Sequence, residues 1–129
     1  MESTMLITAN QHSFEGSVMQ SETPVLVVFH ASWCAPCRRL EPVLEALAER
    51  YAGVAGVARV DIDESPALSR LLGIRSIPSV ALMHRGQVRD LLVGERPIED
   101  YERILDELLW EDAAPGRRVR NDLKNALVI

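Results

Sequence analysis

Cysteine is scarce in this chain. Its 129 residues hold two, Cys34 and Cys37, three positions apart. A structural disulfide gains most by closing a long loop, and this pair closes almost none, so the pattern does not read as a disulfide-stapled secreted fold. Lysine is scarcer still, with Lys124 the single example. No apolar run approaches the roughly 20 residues of a membrane-spanning helix. The opening residues Met1-Glu2-Ser3-Thr4-Met5-Leu6 have no basic segment and no sustained apolar stretch. No secretory signal peptide is therefore expected, and the expected compartment is the reducing cytoplasm. Metal donors are equally thin. A structural zinc site takes about four ligands, and His12, His30 and His84 show no ligand spacing to the cysteine pair, so no metal is expected. There is no internal repeat and no low-complexity stretch.

What is present points to one domain with a short extension. A chain of this length can bury about two-thirds of its unfolded surface without a metal or disulfide staple. The net charge of −5 argues against a general nucleic-acid or anionic-membrane binder. Residues 1–110 hold ten Arg and sixteen acids, whereas residues 111–129 hold three Arg, Lys124 and three acids. The acidic body and the slightly basic end differ in kind. The expected division is a folded domain over 1–110 and a C-terminal tail over 111–129, weakly helical or disordered.

Periodicity gives the element order. Leu6-Ile7 starts a short strand, and Phe14 and Val18 share one face of a short helix within Asn10–Gln20. Val25-Leu26-Val27-Val28-Phe29 is apolar throughout and reads as a strand buried on both faces. Leu40, Val43, Leu44 and Leu47 form one helix face, with Glu41, Glu45, Glu49 and Arg50 elsewhere, and Pro42 should bend that helix. Residues 57–62 read as a second central strand, and Asp63–Leu72 as a helix candidate with Ser65-Pro66 opening it and Gly73 closing it. Val80–Met83 and Val88–Val93 flank an Arg85-Gly86 turn, and Ile98–Trp110 repeats at helical spacing. Alternation followed by a hairpin and a covering helix implies an α/β fold, with a central mixed sheet of four to five strands and helices on both faces. In the tail, Val119, Leu123 and Leu127 stand four apart.

The chemistry lies in Cys34-Ala35-Pro36-Cys37, placed between a strand and a helix. A helix beginning after Cys34 offers unpaired N–H groups and the positive end of its dipole, both of which favour a thiolate. The thiolate is the nucleophile, and such sites lower the thiol pKa below its free value of about 8.5. Pro36 fixes φ in the first turn without leaving an orphan N–H. Arg38 and Arg39 add positive charge nearby, unless both point into water. The short spacing lets Cys37 reach back to a mixed disulfide on Cys34.

At these residues the sequence resembles the thioredoxin family. Phe29–Arg38 is similar to its active-site segment, and Val60-Asp61-Ile62-Asp63, Gly73–Pro78 and Val93-Gly94 to its later motifs, in the same order, over about residues 6–110. The resemblance implies a thioredoxin-like fold and a thiol–disulfide oxidoreductase that reduces protein disulfides. In it Cys34 attacks, Cys37 resolves, and no cofactor is needed beyond the dithiol. It implies a cis Ile77–Pro78 bond facing the cysteines, where about one X-Pro bond in twenty is cis. It also implies a shallow groove framed by Trp33, Ile62, Ile77, Val93 and Gly94, with backbone at Ser76–Ile77 open to an extended peptide. Core packing is the alternative for Ile62 and Val93, and a bulge glycine for Gly94.

Four positions depart from the family's pattern. Val28 stands where its members carry a buried Asp, Arg59 where they carry a Lys, Ala35 where they carry a Gly, and His30 where they carry a Trp. Arg59 cannot carry a proton. His30 titrates near neutrality and is a candidate for proton transfer, the alternative being an idle surface histidine. The expected partners are disulfide-bearing client proteins and a thioredoxin-reductase-type electron donor, with neither nucleic acid nor membrane, for a monomeric protein. The competing reading is a binding, co-chaperone or assembly module with low reductase turnover, whose tail docks a partner through Arg117, Arg118, Arg120, Lys124, Leu123 and Leu127.

Overall fold

The computed structural model describes residues 6–113. Five strands, β1 (Leu6–Thr8), β2 (Val25–His30), β3 (Gly56–Asp61), β4 (Ser79–His84) and β5 (Gln87–Val93), form one sheet in the order β1-β3-β2-β4-β5. β1, β3 and β2 run parallel, while β4 is antiparallel to both β2 and β5. The helices are α1 (Ala35–Arg50), α2 (Pro66–Leu71) and α3 (Ile98–Ala113). This is the expected mixed α/β sheet, with five strands.

β2 sits at the centre, and its composition explains why. Val25, Val27 and Phe29 pack on one face with Phe14, Val18, Val60, Leu68 and Met83. Leu26 and Val28 pack on the other with Leu40, Leu44, Leu47, Tyr101 and Leu105, from α1 and α3. Successive strand residues point to opposite faces, so a run with no polar residue suits only a strand covered on both sides. At its lower end α1 is tied to α3 by Tyr51 Oη donating to Asp106 Oδ1 at 2.7 Å and by an Arg50–Glu102 ion pair. The hairpin turns on Arg85 and Gly86, both at positive φ (55° and 78°), as a two-residue turn that follows strand twist requires.

Several boundaries differ from expectation. Asp61 Oδ1 accepts the N–H groups of Asp63 and Glu64 in a local turn, so of the expected Asp63–Leu72 helix the first residues are non-helical and α2 opens at Ser65-Pro66, as expected. Asn10 Oδ1 likewise accepts from His12 and Ser13, and the segment beyond is a π-helical turn at Glu15–Met19. α3 continues to Ala113, past Trp110. The tail residues expected to dock a partner lie outside the described residues.

Candidate functional site

β2 delivers the chain to the top of the sheet, and the turn after His30 sets the first cysteine at a helix start. The Cys34 N–H donates to the Ala31 carbonyl at 3.1 Å, and α1 begins at Ala35. Cys34 occupies the N-cap in extended conformation (φ −96°, ψ 105°), and its Sγ accepts the Cys37 N–H at 3.2 Å. Its carbonyl accepts the first helical bond, from the Arg38 N–H at 3.2 Å. A sulfur on an N-cap that already accepts a helical N–H is placed to be stabilised as an anion. Cys34 and Cys37 are joined as a disulfide, with Cα atoms 5.3 Å apart.

Both cysteines are buried, against Ala31 and the half-buried Ile62 and Ile77. Trp33 beside them is 65% exposed, yet its Nε1 donates to Asp63 Oδ2 at 2.7 Å, which fixes the ring over the site. Arg38 does not extend freely into water, because its Nη1 donates to the Ser32 carbonyl at 2.7 Å. Arg39 forms a bidentate pair with Glu95 (2.9–3.2 Å), which holds Glu95 below the usual carboxylate range and cancels Arg39's charge near the sulfurs.

The Ile77–Pro78 peptide is cis. Trp33, Ile62, Ser76 and Ile77, with Ile74 and Arg75, line one hollow of about 270 Å³ beside the disulfide. Val93 and Gly94 do not line it. Val93 pairs with Ser79 across the β4–β5 ladder, and the Gly94 N–H donates to the Pro78 carbonyl at 2.8 Å, so both reach the site through the proline. Gly94 has φ +91°, a conformation that disfavours any side chain. The Ser76 carbonyl accepts from Ser79 Oγ at 2.7 Å, so one of its two acceptor positions is engaged within the chain.

A second cavity, of about 240 Å³, opens behind Cys37 and is lined by Val28, His30, Cys37, Glu41 and Arg59 among others. Arg59 Nη1 donates to both Glu41 oxygens (2.5 and 2.8 Å), and its Nε donates to Thr8 Oγ1 at 3.3 Å. His30 is half-buried. Burial chiefly, with help from Arg59, lowers its pKa below 6.5 against the opposing pull of Asp61 and Glu41. It is therefore neutral at pH 7. Among the described residues no cluster of three or more His, Cys, Asp or Glu could hold a metal ion, and no helix is long and apolar enough to cross a membrane.

Three residues that the structure brings to this region are not singled out by the sequence. Asp63 lies thirty residues from the Trp33 it holds, and Ile74 lies outside the motif residues singled out for the groove. Glu41 reads as a solvent-side residue of an amphipathic helix, although its spacing of four from Cys37 is the signal that places both on one face.

A family model described as Thioredoxin matches residues 5–107. The chain is 38% identical over 104 residues to the chloroplastic Thioredoxin M-type of Zea mays, covering 81% of this chain and 62% of that one. It is 40% identical over 99 residues to Thioredoxin of Chlorobaculum thiosulfatiphilum, covering 77% of this chain and 92% of the relative. It is 39% identical over 97 residues to Thioredoxin 1 of Nostoc sp. (strain PCC 7120), covering 75% and 91%. The chain thus spans about three-fifths of the maize relative and about nine-tenths of the two bacterial ones.

Proposed function

Because the chain belongs to the thioredoxin family of thiol–disulfide oxidoreductases, we propose that it reduces disulfide bonds in client proteins, with Cys34 as nucleophile and Cys37 as resolving thiol. The observation that carries this reading is the position of Cys34 at the α1 N-cap, bonded to Cys37. In the reduced protein the Cys34 thiolate attacks one sulfur of the client disulfide. A Cys34–client bond forms and the other client sulfur leaves as a thiolate. Cys37 then loses its proton and attacks Cys34 Sγ. The Cys34–Cys37 bond forms, the second client thiolate leaves, and the client takes up one proton from Cys37 and one from water. The client gains two electrons and the protein dithiol loses them.

The hollow beside Trp33 and Ile77 receives the client chain. Its apolar walls suit an extended peptide, and the free acceptor position at Ser76 supports a backbone contact. Ile77 packs against the cysteines, and the Gly94 N–H donates to the carbonyl of the adjoining Pro78. The dithiol is the whole redox group, so no cofactor is needed. Return to the reduced form requires an electron donor of the thioredoxin-reductase type, and net reduction suits a reducing compartment such as the cytoplasm.

The test is reduction of insulin disulfides by dithiothreitol, with turbidity as the readout. The native chain is expected to accelerate the reaction at least tenfold over dithiothreitol alone, and Cys34→Ser to abolish the acceleration. Slow turnover together with stable insulin binding would contradict the reductase reading and favour a binding module.

A further inference from the structure

Cys37 has to lose a proton before it can resolve the intermediate, and its surroundings make that difficult. The residue is 6% exposed, and the strand beneath it presents Val28, 2% exposed. Burial raises a thiol's pKa, so a neighbouring base speeds resolution near neutral pH. The cavity behind Cys37 contains one. Glu41 is the only carboxylate among the described residues that line it. It follows Cys37 by four positions on α1, where Cβ atoms on one face lie about 5–6 Å apart. A cavity of about 240 Å³ has room for bridging water, whose share of liquid volume is about 30 Å³. The other charged or titratable groups facing the cavity are Arg59 from β3, His30 from β2 and Arg38 from α1. Arg59 grips both Glu41 oxygens and is itself steadied by Thr8, so the carboxylate is held in one place although its side chain is 41% exposed.

We propose that Glu41 is the general base for Cys37, taking the thiol proton directly or through one cavity water as Cys37 attacks Cys34, with Arg59 as the residue that positions the carboxylate. The inference rests on the reductase reading. The Cys37 S–H bond breaks toward the Glu41 oxygen, the Cys37–Cys34 bond forms, the Cys34–client bond breaks, and the leaving client thiolate recovers the proton from Glu41 through water. No other oxidant or reductant enters.

The experiment mixes the fully reduced protein with equimolar 5,5′-dithiobis(2-nitrobenzoate) in a stopped-flow instrument. The first release of thionitrobenzoate reports attack by Cys34, and the second reports attack by Cys37. General-base assistance is typically worth about 10²–10⁴-fold. Glu41→Gln is expected to slow the second release at least about tenfold at pH 7. Its rate should then rise in proportion to hydroxide from about pH 6 to pH 9, with the loss confined to that phase. Glu41→Asp keeps a carboxylate and should recover part of the rate and the native pH profile, which a purely structural role would not predict. A second release within twofold of native in Glu41→Gln, with an unchanged pH profile, overturns the proposal. So does a Glu41→Asp variant no faster than Glu41→Gln. A native protein whose first release is no faster than that of a free thiol overturns the reductase reading itself.

Discussion

Val28 offers the sharpest test of how the site is built, because it is a buried apolar residue beside a sulfur that must ionise. Consider Val28→Asp. Val28 is 2% exposed and packs with Leu40, Leu44 and Val80. Losing the burial of a valine costs about 1.5–3 kcal/mol. Leaving a buried carboxyl group without a full set of partners adds about 1–3 kcal/mol. The expected loss is therefore about 2.5–6 kcal/mol, against a typical domain stability of about 5–15 kcal/mol. Hydration from the cavity behind Cys37 and attraction to Arg59 pull toward the low end, while repulsion from Glu41 opposes them. The sign of the pH dependence follows from the burial. A desolvated Asp has a folded pKa above its unfolded value of about 3.9, so its unfavourable contribution grows as pH rises through the folded pKa. Urea unfolding of native and Val28→Asp proteins, both oxidised, at pH 5 and pH 8 measures this. The deficit should be larger at pH 8. A variant as stable as the native protein at pH 8, or a deficit that shrinks as pH rises, would refute the reasoning.

Two further outcomes are expected. His84 is 4% exposed and its Nε2 finds no hydrogen-bond partner among the described residues. Burial holds its pKa below 6.5, and that of His30 likewise. Their contribution to stability is complete above pH 6.5 and is lost as pH falls through the lowered folded values. The urea midpoint should accordingly drop between pH 7 and pH 5, and His84→Leu should flatten that drop; an unchanged slope would clear His84 of the effect. His30→Ala separates the imidazole from Glu41. If Glu41 takes the Cys37 proton, the second thionitrobenzoate release should change less than about threefold and keep its pH profile, whereas a collapsed profile would assign the proton to His30.

The parts of the molecule set by local chemistry were readable in the sequence, and the parts set by contact across the sheet were not. Val25–Phe29 could only be a strand covered on both faces, and two cysteines after it, with Pro36 in the first helical turn, place Cys34 at an N-cap. The cis Ile77–Pro78 bond came from its motif, since no local preference would supply it. Trp33 with Asp63, Arg39 with Glu95 and Arg59 with Glu41 are meetings of side chains on separate elements, and each depends on how helices lie over strands. Arg39 is instructive. By proximity in sequence it adds positive charge to the sulfurs, yet Glu95 from the segment after β5 neutralises it. The hollow beside Trp33 likewise takes walls from Ile74 and Arg75, while Val93 pairs with Ser79 and the Gly94 N–H donates to the Pro78 carbonyl.

The central claim is that Cys34 attacks and Cys37 only resolves. Trapping decides it directly. Cys37→Ser and Cys34→Ser are each reduced, mixed with oxidised glutathione at pH 7 and read by intact mass spectrometry over time. Cys37→Ser should quickly accumulate one stable glutathione adduct, mapped to Cys34. In Cys34→Ser, Cys37, which lacks the N-cap position, should gain an adduct at least about a hundredfold more slowly. Equal rates in the two variants, or an adduct that forms first on Cys37, would contradict it.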